Sequence, residues 1–292
     1  MSPALHPHYR ETVRTYTRGS DVILVGDQGE ADLSGDPDAL VPLIDEATCL
    51  VVVGYPDFFG RVYDLSSLAE AVHRAGALLA VSVNPIALGL LKAPGEYGAD
   101  IVTGEGQPLG IPLSYGGPYL GLFATRQEYV RKMAGRLAGE TVDNRGQRAY
   151  VLTLTAREQH IRREKATSNI CTNQGLMALA STIYLSLLGR QGLRQVAELC
   201  YHKAHYAANT IAGLPGYELW SDAPFFNEFV IRCPRPAQKV ADLLLEDNVL
   251  AGYPLGKDYP GMEDCLLVAV TEMNPVEDID WLCAALEEVS NG

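Results

Sequence analysis

The stretch that decides the fold runs from Gly98 to Thr125 and reads GADIVTGEGQPLGIPLSYGGPYLGLFAT. Its parts are a predicted strand, a glycine-rich loop, an apolar patch, a glycine-rich turn and a second predicted strand, in the order Ala99–Val102, Thr103–Gly106, Leu109–Leu113, Ser114–Pro118 and Leu120–Ala124. Glycines cluster where the backbone must take a positive φ or approach another chain or a ligand closely. The spacing alone fits a tight strand–loop–strand crossing in a core as well as a binding loop.

On the N-terminal side of this stretch, apolar runs of strand length alternate with helical patterns. Thr48–Gly54 and Ala77–Val83 predict buried parallel strands, with a helix between them that starts near Asp64 to Ser67 and ends at His73. Four more elements are predicted here: a helix over 6–18 with Tyr9, Val13 and Tyr16 on one face, a strand at Asp21–Val25, a helix capped by Asp36 with Pro37 at its first position, and a short turn or helix at Ile86–Leu91. This alternation predicts a parallel α/β sheet with right-handed crossovers.

On the C-terminal side, the character of the chain changes at Arg126. The predicted elements are a helix at Gln127–Leu137, a polar loop at Glu140–Ala149, a highly charged segment at 157–165, helices at Asn173–Leu188 and Gly192–Leu214, strands at Glu228–Cys233 and Leu266–Val270, and helices at Ala237–Asp247 and Val276–Val289. The pattern predicts a large domain over residues 1–190, followed by a linking helix and a small α/β domain over residues 191–292.

The totals exclude several classes of protein. The 292 residues carry a formal net charge of -13, which opposes binding to nucleic acid or to an anionic membrane. The sequence has no apolar run of about 18 residues, the length that a transmembrane helix needs, and its first residues do not read as a secretory signal. The six cysteines form no CxxC pair and no Cys/His ligand spacing. We therefore expect a cytoplasmic protein with reduced thiols and no metal site.

The nucleotide-binding patterns fail on the glycine-rich stretch. Gly104 and Gly106 would need a third glycine at position 109 to complete a dinucleotide fingerprint, but that residue is Leu109. No Gly-Lys-Ser or Gly-Lys-Thr occurs, so the sequence also lacks the phosphate-binding loop of nucleotide hydrolases.

Three groups downstream admit both a chemical and a structural interpretation. His160, between Glu158 and Glu164, suggests acid–base work, although the surrounding arginines favour a solvated or interfacial charged helix. Cys171 follows a cationic segment that would favour its thiolate, but no general base is placed beside it and a small buried hydrophobe fits better. The polar run Thr167–Asn173 precedes a long helix, where it provides either ordinary N-cap chemistry or an anion site.

Four blocks of the chain resemble the glycine decarboxylase P-proteins of the glycine cleavage system, and in particular the α subunit of the two-chain bacterial form. They are VVVGYPDFFG, VSVNPIALGLLKAPGEYGADIVTGEGQPLGIPLSYGGPYLG, LTLTAREQHIRREK and ATSNICTNQGLMAL. These blocks are long and specific, and the resemblance covers nearly the whole chain. It implies the α/β fold of type I pyridoxal-phosphate-dependent transferases, with a mostly parallel sheet in a large domain and a small C-terminal α/β domain.

The resemblance also implies an activity and partners. The P-proteins decarboxylate glycine with pyridoxal phosphate and pass the aminomethyl group to the lipoyl group of the H-protein. The chain is thus expected to be an enzyme subunit that works with companion subunit 2, lipoylated H-protein and glycine. The family's α subunit carries a segment upstream of the helix that begins here near His6. We therefore expect a large domain that is incomplete at its N-terminus, through a split gene or a misassigned start.

The resemblance places two residues at the positions that matter most for the cofactor. When the shared Ile-Pro and Gly-Gly-Pro are aligned with the companion subunit's lysine motif, Gln107 falls at the Schiff-base lysine and Ser82 at the aspartate that holds the pyridine nitrogen. A Schiff base needs a primary amine, which a carboxamide cannot replace, and a serine supplies no charge to a pyridinium. The cofactor is therefore expected on the companion subunit, and no residue of this chain is assigned a catalytic role.

The same argument predicts where this chain meets its partner. The candidates for the interface or the rim of a shared site come from the charged segment, the polar run and the glycine-rich turn: Arg157, His160, Arg162, Lys165, Thr167, Ser168, Asn169, Tyr115, Gly116 and Gly117. Two alternatives remain open at this point. One is a self-sufficient pyridoxal-phosphate enzyme that uses Lys165 or another lysine, and the other is a non-catalytic interaction module or inactive truncated remnant.

Overall fold

The N-terminal part of the molecule is built on a four-stranded sheet. The computed structural model describes residues 1–29, 32–33, 35–133, 137–153, 163–165 and 174–291. The strands of this sheet are β1 (Leu50–Tyr55), β2 (Leu78–Val83), β3 (Ile101–Glu105) and β4 (Gly121–Thr125). They lie in the order β1–β2–β3–β4. The first three are parallel and β4 is antiparallel to β3. The mostly parallel α/β sheet predicted from the alternating apolar runs is confirmed.

The core of this sheet lies against helix α2 (Ser66–Arg74). Leu68 and Val72 of the helix are fully buried with Leu79 and Val81 of β2. Burying one such aliphatic side chain stabilises the fold by about 1.5–3 kcal/mol. The apolar face of the helix and the apolar run of the strand therefore bury each other. The N-cap is Leu65 and not Asp64, Ser66 or Ser67, although Asp64 Oδ1 accepts from the backbone N–H of Ser66 at 2.8 Å just before the helix.

Helix α1 (Pro7–Thr17) forms where it is predicted, but a different face is buried. Tyr16, on the predicted apolar face, is 74% exposed, whereas Arg10 is buried. The Arg10 guanidinium donates to the carbonyls of Leu5 and Asp27, at 3.1 Å each, and lies over the Tyr259 ring. A polar side chain can take an interior position when its donors are paired in this way.

Three local predictions are wrong. Asp21–Val25 forms no strand, and Ile23 is 85% exposed there. In the described part of Gln127–Leu137, only a short 3₁₀ segment at Gln127–Lys132 is helical. The predicted polar loop over 140–149 is instead part of a hairpin of β5 (Leu137–Val142) and β6 (Arg148–Thr153). Asp143 makes the hairpin turn, because its Oδ1 accepts from the N–H groups of Arg145 and Gln147.

The two long helices predicted after residue 173 form one element, α3 (Gly175–Ala212), which is interrupted at Gly189. Gly189 has φ 59° and ψ -174°, a backbone conformation that favours glycine and breaks the helical path. The second half of α3 packs its alanines Ala204, Ala207 and Ala208 into the core. Among the helices that the structure describes, none is both long and apolar enough to cross a lipid bilayer.

The C-terminal part is an antiparallel sheet covered by helices. Its strands are β7 (Glu218–Leu219), β8 (Glu228–Arg232), β9 (Tyr253–Pro254) and β10 (Cys265–Ala269), in the order β7–β8–β10–β9. The helices are α4 (Ala237–Glu246) and α5 (Val276–Asn291). The two longer strands and both helices match the predicted elements. Strands β7 and β9 have two residues each, too few to leave a periodic signal in the sequence.

One hydrophobic cluster joins the two parts of the chain. Phe59, from the loop after β1, packs with Val230 of β8 and Leu255 of the C-terminal part. The Phe59 ring also lies 5.1 Å from that of Trp220. The division into domains 1–190 and 191–292 stays a prediction, and these contacts place the loop after β1 between the two sheets.

A buried carboxylate at the amino ends of β2 and β3 supports a first stability prediction. Asp100 is 3% exposed and accepts from the backbone N–H of Leu79 at 2.8 Å, from Arg126 at 3.1 Å and from His73 at 2.9 Å. We expect Asp100→Ala to lower the free energy of unfolding by about 1–3 kcal/mol, because it leaves the buried N–H of Leu79 without its acceptor and removes the carboxylate paired with Arg126. Urea denaturation measures this loss.

The matched control for Asp100→Ala is Glu198→Ala, which breaks the exposed Arg194–Glu198 pair on α3. Exposed pairs of this kind contribute about 0–1 kcal/mol. If both variants lose the same small amount, the stabilising role assigned to Asp100 is wrong.

Candidate functional site

Three parallel strands end together at one edge of the N-terminal sheet. Tyr55 closes β1 beside Val83 of β2, and Val83 lies beside Gly104 of β3. We call the ends of these strands and the loops that follow them the carboxyl edge. In open α/β sheets, ligands bind at the carboxyl ends of the parallel strands, so this edge is the candidate site.

Ser82 and Gln107, the two residues aligned with cofactor positions, both lie at the carboxyl edge. Ser82 is the penultimate residue of β2, with Gly54 on one side and Thr103 on the other. Gln107 comes two residues after β3, and its backbone N–H donates to Glu105 Oε1 at 3.0 Å. Its side-chain Nε2 donates to the Ile111 carbonyl at 2.6 Å. The Gln107 amide thus holds the turn that follows β3.

The glycines of this stretch serve close approach of backbone to backbone. A Cβ at Gly104 would lie 2.9 Å from the Val83 carbonyl oxygen, and one at Gly106 would lie 2.9 Å from that of Leu120. Glu105 fixes the crossing, because its Oε1 accepts from the N–H groups of Gln107 and Leu120. Of the two interpretations that spacing left open, the geometry favours a tight strand–loop–strand crossing. Strand β3 runs through Glu105, three residues further than predicted.

The C-terminal sheet forms a wall beside the carboxyl edge through two asparagines. Asn84, directly after β2, donates from Nδ2 to Asn227 Oδ1 at 3.3 Å. Asn227 is buried and donates in turn to the Val270 carbonyl at 3.2 Å. The sequence analysis singles out neither Asn84 nor Asn227 as a site residue. Their 143-residue separation leaves no local pattern that would bring them together.

Two glutamates, at the end of β3 and the start of β8, act electrostatically on a tyrosine of helix α1. Burial raises the pKa of Tyr9, and the negative charges of Glu105 and Glu228 raise it further. Glu228 is half-buried, and this burial, together with the negative charge of Asp57, raises the pKa of its carboxyl group to about 7. Helix α1, the end of β3 and the start of β8 thus bring titratable groups to the carboxyl edge.

The glycine-rich turn projects from the same stretch. Tyr115 is 94% exposed and has φ 49°, and Gly116 and Gly117 follow with φ 135° and 109°. The Gly116 N–H donates to the Tyr119 hydroxyl at 3.2 Å. A side chain presented on such a turn is available to a partner, and the assignment of these three residues to an interface or a site rim stays a prediction.

Most of the predicted rim residues lie outside the part of the chain that the structure describes. This holds for Arg157, His160, Arg162, Thr167, Ser168 and Asn169, and for Cys171. Lys165 is described and is exposed in a short 3₁₀ turn at Arg163–Lys165. Its place relative to the carboxyl edge therefore rests on the sequence-based prediction alone.

The residues of the carboxyl edge do not fit a covalently held pyridoxal phosphate. The chain has six lysines, and none lies in the loop between β3 and β4. Lys203 is used elsewhere, since its Nζ donates to the carbonyls of Glu272 and Asn274. Lys92 lies over the Tyr97 ring, 3.9 Å from its centroid. The position that the sequence analysis aligns with the Schiff-base lysine holds the Gln107 carboxamide, which forms no Schiff base, and that alignment stays a prediction.

The sheet order and the carboxyl edge define a class: this is an α/β protein with the fold of type I pyridoxal-phosphate-dependent enzymes. The crystal structure of the cysteine desulfurase CsdA from Escherichia coli has this fold. It matches 99% of the chain and 71% of its own length, with a TM-score of 0.69 at 18% sequence identity. A likeness at this identity establishes the fold alone.

Two further comparisons narrow the class. The sequence model described as "Glycine cleavage system P-protein" matches residues 1–286. The crystal structure of an inhibitor-bound glycine decarboxylase (P-protein) matches 99% of this chain and 64% of its own length, with a TM-score of 0.90 and 41% identity. The chain therefore belongs to the glycine cleavage system P-protein family, and the family and fold predicted from its sequence blocks are confirmed.

Among curated relatives, the chain resembles those named as first subunits. It is 57% identical over 290 residues to the probable glycine dehydrogenase (decarboxylating) subunit 1 of Thermomicrobium roseum. The alignment covers 99% of this chain and 65% of that relative. The chain thus spans about 65% of the length of the curated relatives that it matches.

Proposed function

We propose that this chain is the lysine-free subunit of a glycine decarboxylase, in which a companion subunit 2 holds the pyridoxal phosphate. The complex decarboxylates glycine and transfers the aminomethyl group to the lipoyl group of H-protein in the cytoplasm. The observation that carries this proposal is the likeness to glycine decarboxylase over 99% of the chain at a TM-score of 0.90. Gln107 at the carboxyl edge supports the division of labour between the two subunits.

In this proposal, the chain contributes structure and a wall of the shared site. Pyridoxal phosphate on the companion supplies the electron sink for decarboxylation. The residues of this chain shape and enclose the shared site. Glu105 and Gln107 hold the β3–β4 crossing, and Asn84 fixes the C-terminal sheet against the end of β2. The Tyr115 turn and Lys165 are the described residues that we assign to the contact with the companion.

A second candidate, a non-catalytic interaction module, is favoured by a different observation. The β5–β6 hairpin and the first half of α3 expose large apolar side chains, among them Val142, Tyr150, Leu152, Leu176, Leu179 and Leu187. Extended exposed apolar surface marks contact with another protein. The two candidates share a partner but differ in whether the assembled complex turns over glycine.

The purified chain, incubated with pyridoxal phosphate, is expected to form no stoichiometric adduct that borohydride reduces onto any of its lysines. The physical reason is the missing amine at position 107. Absorbance before and after reduction, followed by peptide mass spectrometry, measures this. A stable adduct on Lys165 or on another lysine of this chain would support the self-sufficient enzyme instead.

Activity separates the remaining candidates. The exchange of labelled bicarbonate with glycine is expected only when the companion subunit and H-protein are present with this chain. Co-purification with the companion without any exchange would favour the interaction module. Exchange by this chain without the companion would refute the proposed division between the subunits.

A further inference from the structure

Hydrogen bonds of two side-chain amides link the carboxyl edge to the C-terminal sheet. Asn84 Nδ2 donates to Asn227 Oδ1 at 3.3 Å, and Asn227 Nδ2 donates to the Val270 carbonyl at 3.2 Å. We call this pair of bonds the amide bridge. It joins the loop after β2 to the residue before β8 and to the residue that follows β10.

The orientation of each amide in the bridge is fixed within its own part of the chain. Asn84 Oδ1 accepts from the Ile86 N–H at 3.0 Å, and the Asn84 N–H donates to the Tyr55 carbonyl at 3.2 Å. The Asn84 side chain therefore presents its NH₂ group to the C-terminal sheet. Asn227 donates its own NH₂ group to Val270 and so presents its carbonyl oxygen to Asn84. Because the two amides are complementary in this one arrangement, the bridge depends on how the two sheets are placed.

The bridge continues into the loop after β10, residues 270–274, which helix α3 also holds. Lys203 Nζ donates to the carbonyls of Glu272 and Asn274 at 2.7 and 2.6 Å. The thiol of Cys200 donates to Glu272 Oε2 at 3.3 Å. In the part of the chain that the structure describes, the Glu272 carboxylate forms no ion pair, so this loop carries a negative charge that no cation of the chain neutralises directly.

The thiol that bonds to Glu272 belongs to a buried cluster shared with the carboxyl edge. Ile86 and Leu109 of this cluster come from the loops after β2 and β3, and Phe226 comes from the segment before β8. These side chains and that of Cys200 are each 5% exposed or less. Burial and the hydrogen bond to Glu272 raise the pKa of the Cys200 thiol to about 12. Glu272 thus borders the cluster that the loops of the carboxyl edge help to form, and Cys200 is shielded from solvent there.

We propose that the amide bridge is a positioning element of the shared site: it holds the loop after β10, and with it the Glu272 carboxylate, at a fixed place beside the carboxyl edge. When the bridge is broken, the loop moves away from the edge, and the substrate is held less precisely. Asn84 and Asn227 act through this loop and are therefore positioning residues. The effect on the substrate rests on the proposed function, whereas the effect on the loop does not.

Alkylation of Cys200 tests the position of the loop in the full chain. Iodoacetamide reaches a thiol that is 2% exposed only when the structure opens locally. We expect Asn84→Leu and Asn227→Leu each to raise the alkylation rate of Cys200 roughly fivefold, because leucine keeps the branched shape and removes the polar groups of the bridge. Cys283, buried in the C-terminal core, is expected to change less. Peptide mass spectrometry separates the cysteines.

Asn209→Leu, at an exposed position on α3, is the matched control and is expected to behave as wild type. The proposal is wrong if neither bridge variant accelerates Cys200, or if Asn209→Leu accelerates it equally. Acceleration by only one of two folded bridge variants would assign the effect to that residue's local bonds and would also refute the bridge. Equal acceleration at Cys283 would show a loosening of the whole C-terminal part, which overturns the proposal as well. If one variant does not fold, the other decides.

Kinetics of the assembled complex separate the two levels of the proposal. With the companion subunit and H-protein present, both bridge variants are expected to raise the KM for glycine in bicarbonate exchange roughly three- to tenfold, with a smaller change in kcat. Faster alkylation of Cys200 with unchanged kinetic constants would refute the role at the shared site. If the wild-type complex shows no exchange while alkylation responds as expected, the proposed function fails and the position assigned to the loop stands.

Discussion

Alanine at position 60 is expected to lower the free energy of unfolding by about 4 kcal/mol or more, a large fraction of the roughly 5–15 kcal/mol that stabilises an ordinary domain. Gly60 has φ +83°, and its added Cβ would lie 1.8 Å from the Glu228 carbonyl oxygen and 2.4 Å from the carbonyl carbon. Both are backbone atoms, so no side-chain rotation relieves the clash. The loop after β1 would have to move away from β8, which breaks the Phe226–Gly60 hydrogen bond. Expression yield, circular dichroism and urea denaturation measure the loss.

Gly76→Ala is the control that separates this clash from backbone strain. Gly76 has φ +78°, close to that of Gly60, but a Cβ there meets nothing within 4 Å. Only the left-handed conformation is then unfavourable, at about 1–2 kcal/mol. The difference between the two variants measures the close approach. Equal losses for Gly60→Ala and Gly76→Ala would show that the backbone contact between the two sheets is not tight.

The elements that the sequence predicts well are those whose apolar pattern is local. The runs at Thr48–Gly54 and Ala77–Val83 became β1 and β2 within two residues at each end, because both strands are buried and bounded by turn residues. The prediction of a loop at 140–149 was wrong because it rested on the polarity of these residues. In the structure these residues pair as a hairpin whose side chains stay exposed, including Tyr150 at 65%. The intrinsic strand propensity of residues is a weak guide here, because the stability of a strand depends on what its side chains pack against elsewhere in the structure.

The residues of the candidate site also differ in whether the sequence alone reveals them. Gln107 is identified by chemistry, because the loop lacks a primary amine, and this follows from the sequence alone. The wall of the carboxyl edge does not, since Asn84 and Asn227 meet only after both sheets have formed.

Removing the carboxylate of Asp57 is expected to lower the free energy of unfolding by about 3–5 kcal/mol. Asp57→Ala removes the carboxylate that pairs with the Arg61 guanidinium, which is only 3% exposed. It also removes the acceptor of two backbone donors, since Asp57 Oδ1 accepts from the N–H groups of Phe59 and Arg61 at 2.9 Å each. Urea denaturation of the single variant gives the total loss.

A double-mutant cycle with Arg61→Met separates the ion pair from the backbone bonds. Methionine fills the space beside Trp220 without a charge, so Asp57→Ala with Arg61→Met is expected to be less destabilised than the sum of the single variants, by about 1–3 kcal/mol. The loss that remains in the double variant comes from the backbone N–H groups of Phe59 and residue 61, which no longer have the Asp57 carboxylate as their acceptor. Strictly additive losses would mean that the buried charges do not interact.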